Sequence, residues 1–89
     1  MHAYWITFDQ QQSPSVLNLG AGVTAIDRSD AESLIREHVF PLYGERGITA
    51  VLDDVDVRDL DAAHVRPNIG NVLERGVWFP NLGRWRGQL

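Results

Sequence analysis

A single amphipathic helix between extended segments is the feature that most constrains how this chain can fold. Apolar residues recur at helical spacing over residues 31–39, which predicts one apolar stripe along a helix. Ser29 followed by Glu32 resembles a capping box, and Asp27 is an alternative cap. Pro41 disfavours a helical conformation in the residue before it, so we expect the helix to end there. A helix with one apolar stripe needs another layer to cover it.

Extended segments on both sides of the predicted helix supply that layer. Residues 2–8 alternate and have aromatic side chains on both faces, which predicts a strand that is central or covered on both sides. Residues 16–19 and 23–26, separated by two glycines, predict one bulged strand or two short ones. Further strands are predicted at 48–52, at 72–73 and at 77–79, and Asp59 is a candidate cap for a short helical turn over 60–65.

This order of elements predicts an α+β fold. We expect a small antiparallel or mixed sheet of three to five strands, with the main helix packed on one face and a short second helical turn. Residues 66–82 concentrate prolines, glycines and asparagines, which are typical of turns and strand ends. Trp78 and Phe79 point to opposite faces if extended, so we expect one of them in the core.

Length and composition predict one domain over residues 1–89, with residues 83–89 as a mobile tail. The chain has no cysteine, which excludes disulfides and thiol nucleophiles and favours a cytoplasmic protein. Its N-terminal residues lack the pattern of a signal peptide, and no apolar run is long enough to span a membrane.

Charge is distributed unevenly along the chain. All eight basic residues are arginine, and the net charge is −3 over residues 1–47, −4 over 48–65 and +3 over 66–89. We expect the acidic middle and the basic C-terminal quarter to pair across the folded surface. The alternative is that the basic quarter binds an acidic partner.

The sequence contains no complete motif for metal binding, nucleotide binding or covalent catalysis. The acidic run Asp53–Asp61 does not follow the EF-hand spacing, and none of the three histidines has a second ligand at zinc spacing. Gly20 and Gly22 lack the third glycine of a phosphate-binding loop. No serine lies in a nucleophile elbow. We therefore predict no cofactor and no metal, although the acidic run leaves weak cation binding open.

We interpret the chain as a small non-catalytic protein-interaction module, such as an inhibitor or immunity-like accessory protein. It would bind another protein, or form a homodimer, through an edge strand and a surface rich in tryptophan and arginine. The candidate binding residues are Arg66, Asn68, Arg75, Trp78, Arg84, Trp85 and Arg86.

Two other functions are kept as alternatives. An enzyme would use His64, oriented by Asp61 and accompanied by Arg66 and Asn68, in acid–base chemistry. A nucleic-acid-binding domain would use the C-terminal arginines with Trp85 as a stacking platform. The overall acidity, with a pI of about 5.1, argues against nucleic acid.

Overall fold

The fold is a four-stranded antiparallel sheet with one helix on one face. The computed structural model describes residues 1–12 and 15–81. Within them the strands lie in the order β3-β1-β2-β4. This confirms the predicted α+β fold, with a sheet that is antiparallel throughout. The strands are β1 His2–Phe8, β2 Ala21–Ala25, β3 Ile48–Asp53 and β4 Gly76–Phe79.

The main helix, α1, spans residues 28–43 and passes through Pro41. It consists of an α-helical segment Arg28–Leu34, a π-helical turn Ile35–Val39 and a second α-helical segment Phe40–Tyr43. The prediction that it ends before Pro41 is wrong. A proline ring crowds the carbonyl four residues earlier, and the wider π turn directly before Pro41 lets the helix continue.

Asp27, rather than Ser29, caps this helix. Its Oδ1 accepts a hydrogen bond from the Asp30 N–H at 2.8 Å, while Asp30 Oδ2 accepts one from the Ile26 N–H at 3.0 Å. The two carboxylates therefore satisfy N–H donors on both sides of the helix start, in a variant of the capping box in which the second carboxylate reaches the residue before the cap.

Residues 16–19 do not form the predicted strand. They form a 3₁₀ helix, Val16–Asn18, followed by a turn, because the Ser15 hydroxyl caps it by accepting a hydrogen bond from the Leu17 N–H at 3.2 Å. Leu17 is thereby fully buried. Residues 72–73 likewise form a turn instead of a strand. The short helical structure predicted for 60–65 appears as turns flanked by the 3₁₀ helices Val57–Asp59 and Arg66–Asn68.

Each face of the sheet has its own core. On the helix side, Tyr4, Ile6 and Phe8 of β1 pack with Val23 of β2 and with apolar residues of α1. The residues of α1 that are buried there, against the sheet, are Ala31, Leu34, Ile35 and Val39. This arrangement follows from the alternation of β1 and the apolar stripe of the helix.

The opposite face carries a second cluster, here called the aromatic core: Trp5, Val65, Trp78 and Phe79. The ring centroid of Trp5 lies 6.1 Å from that of Trp78 and 5.6 Å from that of Phe79. The expectation that Trp78 and Phe79 point to opposite faces is wrong, since both are about 1% exposed within this cluster. A register shift opposite Gly22 and Val23 makes Trp78 the extra residue of a bulge, which re-aims its side chain.

Candidate functional site

The outer edge of β3 is open in the described part of the chain. This strand, Ile48–Asp53, pairs only with β1 there, and its residues from Ile48 to Leu52 are uncharged. An edge of this kind presents a row of unpaired N–H and C=O groups. Native edge strands are commonly protected by lysine, proline, a β-bulge or a covering loop. β3 has neither lysine nor proline, and a register shift near its start leaves Thr49 opposite no residue of β1.

The hydrogen bonds around β1 show which peptide groups of β3 face outward. The Ala3 carbonyl accepts from the Val55 N–H at 3.1 Å, and the Asp9 N–H donates to the Gly47 carbonyl at 2.9 Å. Odd-numbered residues of β1 therefore direct their peptide groups toward β3. Ala50 and Leu52, which lie opposite Thr7 and Trp5, are consequently the residues of β3 that form hydrogen bonds with β1. The peptide groups of Val51, between them, point away from the sheet.

The other edge of the sheet, β4, is not open in the same way. The Gly70 N–H donates to the Trp78 carbonyl at 2.7 Å, and the Asn81 side chain donates to the Ile69 carbonyl at 3.5 Å. Residues 69–70 therefore lie along the outer side of β4 and use one of its acceptors. Of the two edge strands, β3 is the one whose outward peptide groups have no partner among residues 1–12 and 15–81.

A cleft with a volume of about 350 Å³ adjoins the C-terminal end of β3. Trp5, Leu52, Val55 and Leu60 form its apolar part, and Asp54, Asp56 and Asp59 contribute carboxylates. Asp54, which lines the cleft, adopts a left-handed conformation with φ of 52° directly after the strand. The chain then turns across the face of the sheet that carries the aromatic core.

The three carboxylates of the cleft have different partners. Asp54 Oδ1 lies 2.7 Å from His2 Nδ1, and Asp56 accepts hydrogen bonds from the Arg58 guanidinium at 2.6 and 3.0 Å. The hydrogen bond from the Arg58 side chain lowers the pKa of Asp56 to about 2, helped by the Arg58 N–H. Asp59 is exposed, and its carboxylate accepts no hydrogen bond from any residue that the structure describes.

The predicted pairing between the acidic middle and the basic C-terminal quarter does not occur within residues 1–12 and 15–81. There the carboxylates of the acidic run pair with His2, Arg58 and His64, all outside that quarter. The end of β3 consequently keeps an acidic surface.

The four predicted binding residues that the structure describes lie in different surroundings. Arg66 is exposed in a 3₁₀ helix, and Asn68 donates to the His64 carbonyl at 3.0 Å. Arg75 makes a bidentate ion pair with Asp30, and Trp78 lies in the aromatic core. The remaining three candidates, Arg84, Trp85 and Arg86, lie outside the described residues, as does the predicted tail.

The acid–base pair of the enzyme hypothesis is present but open to water. His64 Nδ1 lies 3.3 Å from Asp61 Oδ2, and the His64 side chain is 68% exposed. The N–H groups of Ala63 and His64, followed by the imidazole, lower the pKa of Asp61. Asp61 thus acts as the cap of a turn, and nothing in this geometry shields a reacting group.

Sequence reasoning missed the residues that line the cleft. The acidic run is visible in the sequence, but there it suggests no more than weak cation binding. Trp5 and Leu52 are opposite each other in the pairing of β1 with β3, a relation that depends on strand register. The only available signal was a strand that ends directly in several aspartates.

In the described part of the chain, no group of three or more histidine, aspartate or glutamate side chains is arranged to hold a metal ion. None of the helices within residues 1–12 and 15–81 has the length and apolar character needed to cross a membrane. Comparison with known proteins adds no relative, since no protein family, curated protein or solved structure matches this chain.

Proposed function

We propose that this protein is a non-catalytic binding module that adds an extended segment of a partner protein to the outer edge of β3. The observation that supports this proposal is the edge itself, which no residue of the described part covers and where the peptide groups of Val51 point away from the sheet. Strand addition of this kind obtains affinity from main-chain hydrogen bonds and specificity from pockets for alternate side chains.

The cleft beside Leu52 supplies such a pocket. Its volume of about 350 Å³ is at the small end of the range for ligand sites, which suits one side chain rather than a cofactor. An inhibitor or immunity-like accessory protein remains the kind of protein that this activity would suit.

The experiment is a selection from a random peptide library, followed by two matched variants. Val51→Pro removes the outward N–H, whereas Val51→Ala shortens the same side chain and keeps that N–H. We expect selected peptides to bind the wild type and the alanine variant similarly and the proline variant about tenfold or more weakly, the loss expected for one or two hydrogen bonds.

Thermal unfolding of both variants verifies that they are folded. If no peptide is enriched, or if the enriched peptides bind the folded proline variant as tightly as the wild type, the proposal is wrong.

A further inference from the structure

We infer that the segment added to β3 has a basic side chain, arginine in preference to lysine, that enters the cleft beside Leu52. This inference rests on the proposed function and names the chemistry of the partner. It depends on three properties of the cleft: its position along the strand, its apolar part and its carboxylates.

The position follows from strand register. Leu52 pairs with Trp5, so the two side chains lie on the same face of the sheet, and both line the cleft. A residue opposite Leu52 in an added strand projects to that same face. One side chain of the partner is thereby directed toward the cleft, whichever way the added strand runs.

The cleft combines apolar and acidic surfaces in the way that a long basic side chain requires. Trp5, Val55 and Leu60 can pack against the methylene groups of such a side chain, while its charged end reaches the carboxylates. Trp5 is only 8% exposed, so it contributes apolar surface rather than a stacking face. Arginine is preferred to lysine because its planar guanidinium binds a carboxylate with two parallel hydrogen bonds.

Asp59 is the carboxylate best placed to bind this cation. Asp54 and Asp56 already pair with His2 and Arg58, whereas the carboxylate of Asp59 has no partner among the described residues. The surrounding run, residues 53–61, has five aspartates and one arginine, so a basic segment is also attracted from a distance.

A second copy of this chain is a poor occupant of the same edge. In the symmetric antiparallel pairing that sets the outward-facing Val51 of both copies opposite each other, the residue opposite Leu52 is Ala50, whose methyl group is too short to reach the carboxylates of the cleft. The only basic residue just before β3 is Arg46, which is 7% exposed and donates to the Asn18 side chain at 2.6 Å. A second copy therefore supplies no free cation to the cleft.

The test uses four peptides of alternating valine and threonine that differ at one central position: arginine, lysine, citrulline or glutamate. Citrulline has nearly the shape of arginine without its charge. We expect the arginine peptide to bind about tenfold more tightly than the citrulline peptide by calorimetry at low salt, as one charge-assisted hydrogen bond would provide. Lysine should lie between them, and glutamate should bind most weakly.

Two charge variants locate the effect. Asp59→Asn should abolish most of the difference between arginine and citrulline, whereas Glu45→Gln removes the same charge at the other end of β3 and should preserve it. If the arginine and citrulline peptides bind the wild type equally, and neither binds Val51→Pro, the inference is wrong and the proposed function stands. Absence of binding by all four would overturn both, and a dimer of the free protein that dissociates in Val51→Pro would overturn the choice of occupant.

Discussion

At the scale of single residues, the absence of a side chain at Gly22 leaves room for the ring of Trp78 in the aromatic core. A Cβ atom built on Gly22 would lie 2.3 Å from both Cζ3 and Cη2 of the Trp78 ring, closer than any real contact. We predict that Gly22→Ala destabilises the protein by about 1–3 kcal/mol, the usual cost of overpacking a core, measured by urea unfolding.

A double-mutant cycle separates this contact from a general effect of the substitution. Trp78→Phe puts a smaller ring over the same strand, so Gly22→Ala should cost clearly less in that background. If the two substitutions are additive, the close approach of Trp78 is not the reason that position 22 needs glycine.

A second prediction concerns Asp30, which joins the start of α1 to the chain just before β4. The Arg75 guanidinium, followed by the Ile26 N–H, lowers the pKa of Asp30 from 3.8 to about 2. A pKa that is lower in the folded protein contributes stability above pH 3.8, and this contribution is lost as the pH falls toward 2. We predict that Asp30→Asn lowers the midpoint of urea unfolding at neutral pH. Between pH 3.8 and about 2, the midpoint of this variant should fall less steeply than that of the wild type.

Asp56→Asn is the matched control for that measurement. The pKa of Asp56 is also about 2, but its partner Arg58 is only two residues away, so part of the pairing persists in the unfolded chain. A smaller change is therefore expected. If the urea midpoint of Asp30→Asn equals that of the wild type and changes in the same way across this pH interval, the ion pair with Arg75 does not contribute to folding stability.

These residues also show what sequence alone can and cannot predict. The arginine at position 75 was interpreted as part of a binding surface, although its partner lies 45 residues away and no local pattern connects them. The need for glycine at position 22 depends on Trp78, which approaches only after β2 and β4 pair. Local patterns reveal the conformation of a segment, whereas both of these contacts depend on tertiary structure.

At the scale of elements, the two edges of the sheet differ. Residues 69–70 cover part of β4, whereas no described residue covers β3. We predict that in the free protein the Val51 amide exchanges with solvent hydrogen much faster than those of Ala50 and Leu52, because only these two face β1. Comparable protection of all three amides would mean that the edge is already covered.

The elements themselves were predicted to different degrees. Alternation revealed β1, and short β-branched runs revealed β3 and the end of β4. The segment at 16–19 was missed because a side-chain cap at Ser15 overrides its strand propensity. The end of the helix was placed too early because the rule for the residue before proline does not anticipate a π turn.

At the scale of the whole molecule, the acidic end of β3 and the open edge belong to one surface. The open edge and the acidic cleft adjoin at Leu52, and the net charge of the chain is −4. A basic, extended segment of a partner would pair with the open edge, place a side chain in the acidic cleft and be attracted by the negative net charge. The sequence revealed the edge-strand hypothesis and the acidic run separately, but only the register of β1 with β3 brings Trp5, Leu52 and the aspartates into one cleft.

The most direct test is an NMR measurement of contacts between isotope-labelled protein and the unlabelled arginine peptide. The account predicts cross-strand nuclear Overhauser contacts from the peptide backbone to residues 49–53, centred on Val51, with the arginine side chain near Trp5 and Asp59. A peptide that contacts β4 or α1 instead, or that binds without any backbone contact to β3, would contradict it.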